Sequence, residues 1–262
     1  MVSSVQSSAS DQRWWIRRGR GRAAVCRLVC FAHAGAGATS YATWSSLLPP
    51  SWELIAAQLP GRENRLAELP LTSLGEMVSA LLVNGRSVFE PPFVLFGHSV
   101  GAIIAFEMAR ALEQAGASGP AHLFVSGRMA PSLTHSTPRR VEDTDASLIA
   151  QLRDYGGTDP GALDNPELLE LVLPALRADM RAERQYMHET GALTQTAVTA
   201  FGGTCDPFVS EQEIAAWSAV TSGPFAYQMF EGGHFFLRAH AAAMIERMRA
   251  SVAADPAGSR GP

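Results

Sequence analysis

Short apolar runs alternate with stretches of helical spacing along most of this chain. Val25–Phe31, Trp52–Gln58, Pro92–Phe96, Ala121–Ser126, Thr196–Phe201 and Ala226–Phe230 are rich in aromatic and β-branched residues, which predicts strands buried on both faces. Between them, Tyr41–Leu48, Leu74–Val83, Ala102–Leu112, Glu211–Ser218 and Arg238–Ala250 repeat apolar residues at helical intervals. Arg13–Arg18 fits a short edge strand. The rhythm breaks once: Glu142–Tyr155 and Pro166–His188 read as helices with no strand between them. Asn165 suits an N-cap, Pro166 the first helical position, and Pro174 should kink the second helix.

The pattern divides the chain into a Ser-rich tail expected to be disordered (1–12), a core (13–131 and 191–254), a helical insertion (132–190) and a flexible Pro/Gly tail (255–262). Alternating strands and helices imply an α/β fold, a mainly parallel sheet with helices on both faces. Ligands in such sheets bind at the carboxyl ends of the strands. The loops after Phe31, Phe96, Ser126, Phe201 and Phe230 should therefore share one edge.

One of those loops is Gly97-His98-Ser99-Val100-Gly101, set between a predicted strand and a predicted helix. That context turns the pattern G-x-S-x-G into a nucleophile elbow, with Ser99 on a strained turn and the helix N-terminus beneath it. A serine needs a base, and the base an orienting acid. Of seven histidines, His234 alone stands in a loop directly after a strand and before a helix. Asp206, past the preceding strand and fixed in extended backbone by Pro207, is the one acid at that edge between Ser99 and His234. The order Ser99, Asp206, His234 is that of the α/β-hydrolase fold. The N–H of Val100 should form one half of an oxyanion hole, and that of Ala34, in the small-residue loop after Phe31, the other.

Composition narrows the function further. The chain has 262 residues, 47% hydrophobic, with a formal net charge of −4. It offers no global attraction for nucleic acid. No apolar run approaches a membrane span, and no basic start precedes a hydrophobic core, so a cytoplasmic location is expected. Cys26, Cys30 and Cys205 lack metal-ligand spacing and read as free thiols; no metal and no cofactor are expected. All 21 basic residues are arginine. The absence of lysine rules out Schiff-base chemistry and a P-loop lysine.

The chain resembles the type II, editing thioesterases that accompany polyketide synthases and non-ribosomal peptide synthetases. The resemblance rests on Phe31–Gly35 with Trp44, Gln58-Leu59-Pro60-Gly61-Arg62-Glu63, Gly97–Gly101 with Phe106-Glu107, Leu173-Pro174-Ala175-Leu176-Arg177-Ala178-Asp179, and Gly232-Gly233-His234-Phe235. Ala32 stands where the family usually has proline and Ala36 where it often has glycine. The resemblance implies hydrolysis of acyl or aminoacyl groups from the phosphopantetheine arm of carrier domains, by a monomer, with the insertion acting as a lid over an acyl channel. Met129, Tyr186, Met187, Phe208 and Phe235 are candidates to line that channel. Arg62, Arg65, Arg128, Arg139 and Arg140 are candidates to meet an acidic carrier at the rim. Two other readings stand beside it: a general carboxylesterase or lipase, and a hydrolase-fold protein that binds ligand without turnover.

Overall fold

The computed structural model describes residues 9–19, 24–133, 144–158, 160–189 and 196–254. The 255–262 tail, residues 1–8, and segments 134–143 and 190–195 lie outside the described residues.

Strand β1 (Trp15–Arg18) runs antiparallel to β3 (Trp52–Ala57) at one edge of the sheet. Strands β2 (Cys26–Phe31), β4 (Phe93–His98), β5 (Leu123–Ser126), β6 (Val198–Gly203) and β7 (Phe225–Phe230) join β3 in a parallel run. Among the described residues they form one seven-stranded sheet, ordered β1-β3-β2-β4-β5-β6-β7. Order reverses between β2 and β4, so the loops after Phe31 and His98 flank the crevice where such sheets bind ligands.

The central strands read as unbroken apolar runs because helices cover both faces, and alternate residues divide between two cores. In β4, Phe93 and Leu95 pack with α2 (Leu74–Val83) and α3 (Val100–Gln114). Val94 and Phe96 pack with Tyr41, Trp44 and α8 (Ala241–Ala254). β7, at the other edge, is only half-buried along most of its length.

Several boundaries differ from the sequence pattern. Part of the expected N-terminal tail is helical: α1 (Ala9–Trp14) leads straight into β1. Tertiary contacts secure its end, since the Trp14 carbonyl accepts from Gln58 N–H at 2.8 Å and the Arg65 guanidinium lies 4.0 Å from the Trp14 ring centre. Strand β6 extends to Gly203 because pairing with β7 continues through Gly202 and Gly203. The expected helix at Tyr41–Leu48 is a 3-10 turn over Ala38–Ser46, and the last helix begins only at Ala241, after a 3-10 turn at Phe236–Arg238.

Between β5 and β6 lie α4 (Asp145–Tyr155), α5 (Pro160–Leu163) and α6 (Pro166–Gln185). Thr144 caps α4 by accepting from Ser147 N–H, and Gly156 ends it in the left-handed conformation at φ 68°. Asn165 caps α6 through Leu168 N–H, and the helix continues through Pro174. Leu148, Leu173, Leu176 and Met180 form a separate small core between α4 and α6.

At the elbow, backbone packs directly on backbone. A Cβ on Gly97 would stand 2.0 Å from the Gly101 carbonyl oxygen, and one on Gly101 2.1 Å from the Phe31 carbonyl oxygen. Gly101→Ala is expected to cost about 3 kcal/mol or more, a fall of about 6–12 °C in melting temperature. Thermal unfolding followed by circular dichroism measures it; an unchanged melting temperature would mean the helix is free to shift away from the strands.

Candidate active site

Ser99 holds φ 55° and ψ −121°, a region that costs a residue with a side chain about 1–3 kcal/mol. The surroundings impose it. Ser99 N–H donates to the Ser126 carbonyl at 2.8 Å, and Ala102 N–H closes the first turn of α3 onto the Ser99 carbonyl at 3.0 Å. The hydroxyl is thereby lifted to the carboxyl edge of the sheet, at the head of α3.

The loops after β6 and β7 are laced to each other. Thr204 N–H donates to the Phe230 carbonyl at 2.8 Å, and Cys205 N–H to that of Gly232 at 2.9 Å. This lacing sets Asp206 beside His234. Asp206 Oδ2 accepts from His234 Nδ1 at 2.8 Å, while Oδ1 accepts from Phe208 N–H at 2.9 Å. The Asp206 carboxyl is wholly buried. With Nδ1 committed to Asp206, Nε2 is the ring nitrogen left to take or give a proton.

Ser99 and His234 face one cavity of about 180 Å³, shared with Ala34 and Phe235. Its far wall belongs to the insertion: Leu169, Val172, Leu176 and Met180 of α6, with Leu152 and Tyr155 of α4. Val100 N–H and Ala34 N–H make no hydrogen bond among the described residues, so both are free to receive an oxyanion. The arrangement can activate a serine, hold a tetrahedral oxyanion and shelter an apolar group.

Of the five residues expected to line the channel, Phe235 alone does so among the described residues. Phe208 stands one layer out, its ring 4.3 Å from that of Tyr155. Tyr186 and Met187 belong to a separate groove beside α2 and α3, where the Tyr186 hydroxyl donates to Glu107 Oε1 at 2.5 Å. Met129 is half-buried in the loop after β5, away from the cavity. The stripe Leu169, Val172, Leu176, Met180, spaced by three and four residues along α6, was the available signal.

The proposed arginine rim is also corrected. Arg62 and Arg65 are buried, Arg62 on Asp179 and Arg65 on Glu68 and the Gln58 carbonyl. Arg128 is paired with Glu183 of α6. Arg139 and Arg140 lie outside the described residues.

Two further histidines crowd the site. The His98 ring centre lies 5.0 Å from that of His234, and Nδ1 meets Ser126 Oγ at 3.0 Å. Burial, then the charges of His234, His33 and Arg238, push the His98 pKa well below its ordinary value, against the pull of the Ser126 bond. His33, edge-on to Phe235 at 4.8 Å, is lowered to about 3, mainly by burial. Gly127 makes room for this cluster, since a Cβ there would stand 2.5 Å from His98 Cε1.

The architecture is that of an α/β-hydrolase, with the elbow at the switch point and the insertion over the carboxyl edge. Within that class the chain belongs to the thioesterase family, whose thioesterase-domain model matches residues 26–252. It is 38% identical over 236 residues to the gramicidin S biosynthesis protein GrsT of Aneurinibacillus migulanus, covering 90% of this chain and 92% of that protein. Thioesterase PikA5 of Streptomyces venezuelae is 41% identical over 231 residues, 87% of this chain and 81% of its own. The solved type II thioesterase BorB, from the borrelidin biosynthetic cluster, superposes with a TM-score of 0.82 at 37% identity, covering 91% of this chain and 97% of its own. The protein is an enzyme, a thioester hydrolase of the type II group. Among the described residues no helix is long and apolar enough to cross a membrane, and no cluster of three or more His, Cys, Asp or Glu residues could hold a metal ion.

The neutral histidines carry a pH dependence. The unfolded chain takes up protons below about pH 6.5, whereas folded His98 does not until much lower pH, so stability falls as pH falls through that window. Each such histidine removes up to about 1.4 kcal/mol per pH unit. His98→Gln is expected to shrink the loss of unfolding free energy between pH 7.5 and 5, as measured by denaturant titration. Equal losses in the two proteins would mean that His98 is protonated in the native state.

Proposed function

We propose that the enzyme clears acyl or aminoacyl groups from the phosphopantetheine arms of carrier domains in a polyketide or non-ribosomal peptide assembly line. The observation that carries this reading is the shared cavity, in which a strained serine and an Asp206-bound imidazole open onto an apolar wall built by the insertion. Its volume, about 180 Å³, is below the roughly 300–1,000 Å³ of pockets for drug-sized ligands, which suits a short acyl chain.

In this mechanism His234 Nε2 takes the Ser99 hydroxyl proton as Oγ attacks the thioester carbonyl. The oxyanion accepts from Val100 N–H and Ala34 N–H. Collapse breaks the C–S bond, and the His234 proton passes to the departing thiol. Water, deprotonated by the same imidazole, then attacks the acyl-Ser99 ester; collapse breaks the acyl C–Oγ bond, the imidazolium returns its proton to Ser99 Oγ, and a free carboxylic acid is released. Asp206 holds the tautomer and favours the imidazolium. No cofactor or metal enters any step. An apolar wall separates homologous acyl chains by only about 1–3 kcal/mol per methylene, which suits an editing enzyme that must accept varied stalled groups. The insertion serves as the lid, and the partner is a carrier domain met by a monomeric, cytoplasmic enzyme.

Ser99→Ala and His234→Ala are each expected to remove most turnover while the fold persists, with the double variant little worse than either. Asp206→Asn is expected to lose up to about 10⁴ in kcat through the wrong tautomer. Carrier-bound thioesters should show a higher kcat/KM than the same acyl group on a small thiol. Equal values for the two, with faster cleavage of the matched oxyester, would overturn the reading in favour of a general esterase.

A further inference from the structure

The loop after β2 turns at His33–Ala36, closed by Ala36 N–H on the His33 carbonyl at 3.1 Å. Gly35, at φ 74°, gives the turn the positive φ that type II geometry requires in its third position. In that geometry the central peptide, Ala34–Gly35, is turned over relative to the commoner type I. Its N–H, on Gly35, donates to Asp179 Oδ2 at 2.8 Å. The closing bond fixes the peptide before it: with the His33 carbonyl held by Ala36, Ala34 N–H points the opposite way, because a trans peptide opposes the two groups.

Asp179 lies on α6, and its carboxyl is buried. Arg62 grips it with both terminal nitrogens, Nη1 to Oδ2 at 2.5 Å and Nη2 to Oδ1 at 3.0 Å. Arg62 Nη1 also reaches the Ala36 carbonyl at 3.2 Å, so the ion pair holds the turn on both sides of Gly35. The Arg62 backbone is tied in as well, its carbonyl accepting from Gln58 Nε2 at 3.0 Å, while Gln58 Oε1 accepts from Ala38 N–H at 2.9 Å. Leu176, one turn before Asp179 on α6, forms cavity wall and leaves Gly35 little room: a Cβ there would stand 3.2 Å from Leu176 Cβ.

We infer that Asp179, clamped by Arg62, is the positioning residue of the oxyanion hole, and that it makes the seating of lid helix α6 a condition for catalysis. Its carboxylate on Gly35 N–H and its Arg62 partner on the Ala36 carbonyl brace the turn on both sides, which keeps the closing bond that aims Ala34 N–H, and it sits on the same helix that walls the acyl cavity. This rests on Ala34 as an oxyanion donor and Ser99 as the nucleophile. When α6 is seated, cavity wall and oxyanion donor are in place together; when it lifts, Gly35 N–H loses its acceptor and Arg62 its partner, so the closed turn that aims Ala34 N–H loses its bracing.

The test compares the wild type with Asp179→Asn and with the double variant Arg62→Met, Asp179→Leu. The double variant leaves no unpaired buried charge and so preserves the fold even if the single variant unfolds. Two ligands are titrated: an alkyl boronic acid, whose serine adduct mimics the tetrahedral oxyanion, and a thioether analogue of the acyl-pantetheine substrate, which mimics the ground state. The folded variants should lose about 10²–10³ in kcat, as when one oxyanion donor is removed, with a parallel loss of boronate affinity and thioether affinity within about threefold of wild type. A folded double variant that keeps its kcat and boronate affinity, or that loses thioether affinity in equal measure, would overturn the inference. Ser99→Ala is run alongside: if it retains turnover, the underlying serine mechanism fails, whereas an inactive Ser99→Ala beside an active double variant defeats the positioning role alone.

Discussion

The structure depends on one place where three backbone segments meet without room for a side chain. The head of α3 lies against the ends of β2 and β4 so closely that neither Gly97 nor Gly101 could carry a Cβ. From that contact follow the forced conformation of Ser99, the aim of α3 at the sheet edge and the position of the β2 loop beside it. The helix head contributes a free N–H and the positive end of a dipole where negative charge would develop. The strain at Ser99 is a local cost of order 1–3 kcal/mol, offset by the burial of most of α3 against the sheet and α2.

Much of this was legible because the relevant signals are local. A strand, a Gly-flanked serine and a helix occur within about twenty residues, and the two other polar partners stand in short loops after strands. What was not legible depends on which face of a helix meets which cavity. Met129, Tyr186 and Met187 lie away from the cavity, and the wall comes from a stripe on α6 that only the folded insertion turns inward. Arg62 was misjudged for a different reason. Charged residues usually face water, and a sequence does not say that a carboxylate 117 positions away will bury beside it. The same residues, Arg62 and Asp179, belong to two of the segments that carry the resemblance. Their geometry supplies the physical reason that such segments would go together.

The insertion is not uniform. α6 is tied to the core by the buried Arg62–Asp179 pair and by Arg128–Glu183. α4 packs through Leu148 on the small core it shares with α6, with Arg177 and Asp145 paired at its outer side. Tyr155 at its end rests on His234 at 4.7 Å between ring centres. A buried ion pair adds little net stability, because desolvation offsets its attraction, whereas removing one partner alone is costly. That division suits an enzyme whose acyl wall must be fixed relative to the nucleophile while access to the cavity stays adjustable.

The insertion also separates the elbow from its partners along the chain: Ser99 precedes it, while Asp206 and His234 follow. During synthesis at roughly 5–20 residues per second, the serine leaves the ribosome seconds before the imidazole that would activate it. If His234 is the base, a nascent chain that carries the elbow but not yet the last two strands has no means to activate Ser99. On the proposed mechanism, hydrolytic competence arrives only with the last two strands, whose loops lace Asp206 to His234, when nearly all of the protein already exists.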